Sequence, residues 1–202
     1  MPPKAKFSKA EIVEAAAIIV RRDGPEALTA RALGIELGSS ARPIFTVFEN
    51  MDQVRQAVTD SAKALYKQYV ERGLVQTLPF KGVGMQYILF SLNEPKLFQL
   101  LFMTEQAQIP DFSGVLPLIE ESYEEILLSI QDTYGILRPS ARTLYRHLWI
   151  YTHGIATLCA TKMCRFTDEE ISGMLTEVCG SLLKNIREES TIYTRERKHL
   201  SD

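Results

Sequence analysis

Apolar positions recur with a helical period along most of the chain. Between Glu11 and Arg22, Ile12, Ala15, Ala16, Ile19 and Val20 fall on one stripe, and Asp23-Gly24-Pro25 stops it. Thr29 stands where it can cap a short helix through Leu37, with Leu33 and Leu37 facing inward and Gly38 ending it. Ser39-Ser40 offer the next cap, for a helix of about two turns over Ala41–Phe48. Pro43 falls in that helix's first turn, where a missing amide hydrogen costs little. Asp52 can cap a long helix running to about Arg72.

Gly73, Pro79, Gly82 and Gly84 interrupt the period and mark a candidate boundary between units. Beyond it, Met85–Leu92, Pro95–Met103, Val115–Tyr134, Pro139–Lys162 and Asp168–Glu189 read as helices. No segment alternates strictly enough to argue a sheet, and no repeat is present. The predicted fold is all-α.

Composition supports a core-forming chain: 46% of its 202 residues are hydrophobic and 24% charged. The longest apolar runs, such as Ala15–Val20, are too short to cross a bilayer, so no membrane partner is expected. The basic N-terminus lacks the apolar stretch and cleavage site of a secretory signal, which makes a cytoplasmic location the default. Net charge is −2, but residues 1–72 carry 11 basic and 9 acidic side chains, and Lys4, Lys6 and Lys9 lead the chain.

Cys159, Cys164 and Cys179 lack the CxxC spacing of a metal site and read as reduced thiols. His153 and Cys159, six apart, lie on different helix faces, so neither a metal nor a cofactor is expected. Lys162 and Arg165 flank Cys164, making it a better candidate than Cys159 for a redox role. No nucleophile–base pair or Gly-rich phosphate loop argues for an enzyme.

A short helix, a Gly-containing turn and a second short helix over Thr29–Phe48 are the elements of a DNA-binding helix–turn–helix. Ile12, Ala15-Ala16, Gly24, Ala27-Leu28-Thr29, Leu33, Gly38, Ser40, Ile44-Phe45 and Phe48, in this order and spacing, resemble the N-terminal domain of tetracycline-repressor (TetR) family transcription regulators. Tyr87–Phe102 and Trp149-Ile-Tyr-Thr-His153-Gly154 resemble that family's ligand-domain group named for its Trp, His and Gly. The resemblance implies a three-helix DNA-binding module over 1–53, joined by a helix over 52–72 to a ligand-binding and dimerisation bundle within 54–189. A polar tail over 190–202 follows.

It further implies that Ala41–Phe48 is the recognition helix, presenting Ala41, Arg42, Pro43, Phe45 and Thr46 to double-stranded operator DNA. Ser40 and Thr29 can cap their helices and also reach phosphate, and Lys4 and Lys6 belong to a basic arm. Arg42 is the only long donor in the segment and so the best candidate for a base edge. Phe45 stands where the family usually has tyrosine, Met51 where lysine is usual, and Gly34 where alanine is usual.

In the second half, Tyr87, Phe90, Phe98, Phe102, Tyr145, Trp149 and His153 each fit ordinary core packing. As a group they could line a pocket for a small apolar or amphipathic effector. His153 could serve such an effector or be an internally satisfied histidine. Ile171, Leu175, Val178 and Leu182 form an apolar stripe that covers either its own core or a second copy; the resemblance implies the homodimer. The expected function is a ligand-responsive repressor released from a pseudo-palindromic operator. The alternative is a helical small-molecule-binding protein with weakened or lost DNA binding.

Overall fold

In a computed structural model of the chain, which describes residues 6–105, 109–112 and 114–199, with side chains as far as 188, every regular element is helical. The chain packs as two units: Met1–Gln68 with Phe90–Ile109, and Tyr69–Leu89 with Pro110–Asp202. The first is therefore longer than the 1–53 module drawn from the sequence and takes in a later segment, because the helix Pro95–Phe102 packs on the first helix.

In the first unit, α1 (Lys9–Asp23) opens with a reciprocal cap: Ser8 Oγ accepts from Glu11 N at 3.2 Å, and Glu11 Oε2 accepts from Ser8 N at 2.7 Å. The predicted stripe of α1 is buried throughout. Gly24, at φ 93°, turns the chain into a short 3₁₀ segment, Pro25–Ala27. Thr29 caps α2 (Ala30–Glu36) as expected, its Oγ1 accepting from Ala32 N at 3.1 Å. Gly38 takes φ 60°, a left-handed conformation that glycine adopts without penalty.

The segment over Ala41–Phe48 is not a two-turn α-helix. It is a 3₁₀ turn, Arg42–Thr46, with Ala41 rather than Ser40 at its cap position and no side-chain cap. Pro43 withholds one amide hydrogen, and Thr46 Oγ1 donates to Pro43 O at 2.6 Å, competing with helical pairing. The following helix, α3 (Met51–Leu74), is capped by Asn50, whose Oδ1 accepts from Gln53 N at 3.0 Å; Asp52 instead pairs with Arg55 at 2.7 Å.

The Gly73–Gly84 stretch is not a linker. It holds the end of α3 and the first turns of α4 (Pro79–Asn93), and a Cβ placed on Gly73 would lie 2.6 Å from the Val83 backbone. The glycines bring two helices into backbone contact. Next comes α5 (Pro95–Phe102), with its proline in the first turn.

In the second unit, the predicted helix over Val115–Tyr134 is broken into α6 (Val115–Ile119) and α7 (Tyr123–Tyr134). At the break, Glu120 is buried and accepts from Ser122 N at 3.0 Å, an uncommon place for a carboxylate. Then come α8 (Arg138–Ala160) and α9 (Asp168–His199), which pack on one another; the backbone of 190–199 continues α9.

Candidate nucleic-acid interface and aromatic interior

The turn Arg42–Thr46 has an inner and an outer side. Ile44 and Phe48 are buried at 0% and 4% exposure, against a core that includes Leu28 and Leu33. Arg42, Phe45 and Thr46 face solvent, Phe45 with 45% of its surface exposed. Ala41 and Pro43 are partly exposed, and Ser40 and Thr29 are exposed. The turn sits close on α2: a Cβ added to Gly34 would lie 3.0 Å from Ala41 N and from Ser40 C, and Ser39 N donates to Gly34 O at 2.8 Å. Alanine there would press on the backbone of the turn.

Basic side chains gather beside this turn. Lys6 Nζ donates to Ser39 Oγ at 3.0 Å, and Lys9 Nζ lies 5.6 Å from the centre of the Phe48 ring. Lys4 lies outside the described residues. Lys9 was visible in the sequence only as part of a basic run; its contact with Phe48 singles it out.

The aromatic residues expected to share one pocket fall into two clusters, one per unit. Phe90, Phe98 and Phe102 belong to the first, where Tyr66 of α3 lies 5.4 Å from Phe90 and 5.1 Å from Phe102, ring centre to ring centre. Tyr66 follows Val58 and Ala62 at four-residue spacing on the buried side of α3, and this stripe was its only sequence signal.

Tyr87, Tyr145, Trp149 and His153 belong to the second unit, with Phe80 and Tyr123 against Tyr145 at 5.6 Å each. Here the polar tips satisfy one another. Tyr87 Oη and His153 Nδ1 are 2.9 Å apart, Trp149 hydrogen-bonds Tyr87, and the Trp149 and His153 rings stack at 5.3 Å. An indole nitrogen only donates, so Tyr87 accepts from it. Burial lowers the pKa of His153, favouring the neutral form. Burial, with the Glu120 carboxylate adding to it, pushes the Tyr87 and Tyr145 phenols well up. The arrangement can accept or reject a proton at His153.

On α9, Ile171 and Leu175 are buried within their own unit, Leu175 Cδ1 lying 3.4 Å from the position of a Cβ on Gly84. They cover the chain's own core. Val178 and Leu182 are partly exposed, and Gly173, Gly180 and, on α8, Gly154 face open space. Cys159 is buried, its thiol pushed up chiefly by burial; Cys164 is exposed, and Cys179 Sγ donates to Tyr134 Oη at 3.6 Å. Among the described residues no three His, Cys, Asp or Glu side chains are grouped to hold a metal ion, and no helix is long and apolar enough to cross a membrane.

No family model matches the chain, and no curated protein matches it. Among solved structures, one described as a protein with unknown function from Rhodococcus sp. RHA1 is similar over 92% of this chain and 98% of its own, with a TM-score of 0.67 and 19% identity. That likeness is one of fold.

Proposed function

We propose that the protein is a ligand-responsive, sequence-specific DNA-binding regulator of transcription, a homodimeric repressor that works in the cytoplasm. The reading rests on one observation: a capped helix and a Gly turn lead into a segment whose apolar residues are buried while Arg42, Phe45 and Thr46 point outward, with Lys6 and Lys9 beside it. In this reading Arg42 meets a base edge and Thr29, Ser40, Lys6 and Thr46 meet phosphate. The exposed glycines of α9, Gly173 and Gly180, with Val178 and Leu182, are the face offered to a second copy. An effector held in the second unit shifts the equilibrium by its differential affinity for two conformations, and a coupling of about 1–3 kcal/mol suffices for a useful response.

The test is fluorescence anisotropy with duplex DNA from upstream of the protein's own gene, over a range of salt. Specific binding that Arg42→Ala reduces to the level of unrelated DNA, with the dimer intact, supports the reading. Lys6→Ala should weaken all sequences alike and flatten the salt slope by about 1. No binding even at low ionic strength overturns it. That outcome selects a helical receptor instead, a reading favoured by the single charge within Arg42–Thr46 and by Met51 just after it.

A further inference from the structure

In the second unit, α6, α7 and the first turns of α8 enclose a cleft of about 570 Å³. This volume lies within the ordinary range for small-molecule sites. Its walls are mostly apolar, made by Pro117, Pro139 and the ring of Tyr123. Along one side run Arg138, Arg142 and Arg146, at successive turns of α8.

The three guanidinium groups are in different states. Arg138 is engaged: its Nη2 donates to both oxygens of Glu124, at 2.8 and 2.7 Å. Glu124 is the acid lining the cleft, so its charge is taken. Arg142 is exposed and makes no ion pair among the described residues. Arg146 lies with its guanidinium carbon 5.2 Å from the centre of the Phe112 ring, and its Nε is buried without a hydrogen-bond acceptor. A buried charged donor left unpaired is costly, and such groups are normally satisfied. The cleft thus carries two positive charges in excess.

We propose that this cleft binds a small organic carboxylate with an apolar body. The carboxylate would lie between Arg142 and Arg146, accepting from the Nη groups of both guanidinium forks, a geometry guanidinium suits. The apolar body would cover Pro117, Pro139 and Tyr123. Inorganic phosphate satisfies the donors but leaves those walls bare; a neutral amide of the same shape covers the walls but leaves the charges unpaired. This site adjoins the aromatic cluster of the second unit through Tyr123, which stacks on Tyr145, and its occupancy is read without DNA, so it stands or falls independently of the regulator assignment.

Isothermal titration of the full chain with benzoate and octanoate, against benzamide, octanamide and inorganic phosphate, tests it. At least one carboxylate should saturate a single site per chain in the millimolar range or below, and bind about tenfold or more tighter than its amide and than phosphate. Arg142→Gln and Arg146→Gln should each weaken that carboxylate about tenfold or more. Arg142→Lys should recover part of the loss. Arg142 is exposed, so Arg142→Gln leaves the fold intact and decides the matter even if Arg146→Gln unfolds. The proposal is overturned if neither carboxylate saturates, if amide or phosphate binds as well, or if Arg142→Gln changes nothing.

Discussion

Gly73→Ala is a sharp test of how the α3–α4 hairpin is built. An added Cβ would lie 2.6 Å from Val83 Cα and N and 2.7 Å from Gly82 C, all backbone atoms of a helix that cannot rotate out of the way. Carbon atoms pack at about 3.5–4.0 Å, so the two helices must separate locally by about 1 Å. Overpacking of this kind costs about 1–3 kcal/mol. Alanine returns up to about 1 kcal/mol through helix propensity, less here because Gly73 is the next-to-last residue of α3. The net expectation is a loss of about 1–2 kcal/mol, or a fall of about 2–8 °C in Tm for a chain of this size. Gly154→Ala is the control. It lies inside α8 with open space around it, so alanine there should raise stability by about 0.4–1 kcal/mol. Thermal unfolding followed by circular dichroism at the helical band reads both variants. If Gly73→Ala is as stabilising as Gly154→Ala, the helices are not in backbone contact and the account of the hairpin is wrong.

Gly34→Ala should lower DNA affinity without lowering α-helix content, because the new methyl group would press on the backbone of Ser40 and Ala41; unchanged anisotropy titrations would refute this. The depressed pKa of His153 makes stability fall as pH drops. The unfolded chain takes up a proton below the ordinary value of 6.5 while the folded chain resists, so the stability present above that value is lost progressively beneath it. Urea midpoints taken between neutral and mildly acidic pH should show this loss, and His153→Gln should reduce the pH dependence. A thiol reagent applied to the native protein should label Cys164 first, while buried Cys159 should react only after denaturation; equal rates would contradict the burial assigned to Cys159.

What could be read from the chain follows from how local each signal is. The stripe of α1, the Thr29 cap, the Gly38 stop and the prolines opening α5 and α8 are near-neighbour effects, and each has its counterpart in the fold. Two-turn periodicity does not distinguish a 3₁₀ segment from an α-helix, and Pro43 with the Thr46 back-bond decided it. Gly73 and Gly82 looked like chain punctuation because sequence does not reveal that one helix lies against another. The same blindness to partners merged two aromatic clusters into one and hid Tyr66. Carboxylates are usually at the surface, and the burial of Glu120 depends on a bend that no residue signals. Arg138, Arg142 and Arg146 stand four apart along the chain, and only the fold supplies their cleft.

If Arg42–Thr46 meets duplex DNA as proposed, its 3₁₀ form also sets how much one copy of the chain can discriminate. Five residues rising about 2.0 Å each extend about 10 Å, close to three base steps of B-form DNA. At three residues per turn, Arg42 and Phe45 eclipse, so one guanidinium and one ring share a single edge. With duplex DNA as partner, each half of the recognised sequence would be short and low in information. Finding one address in a genome would then depend on the spacing and symmetry of two such halves more than on the bases within either.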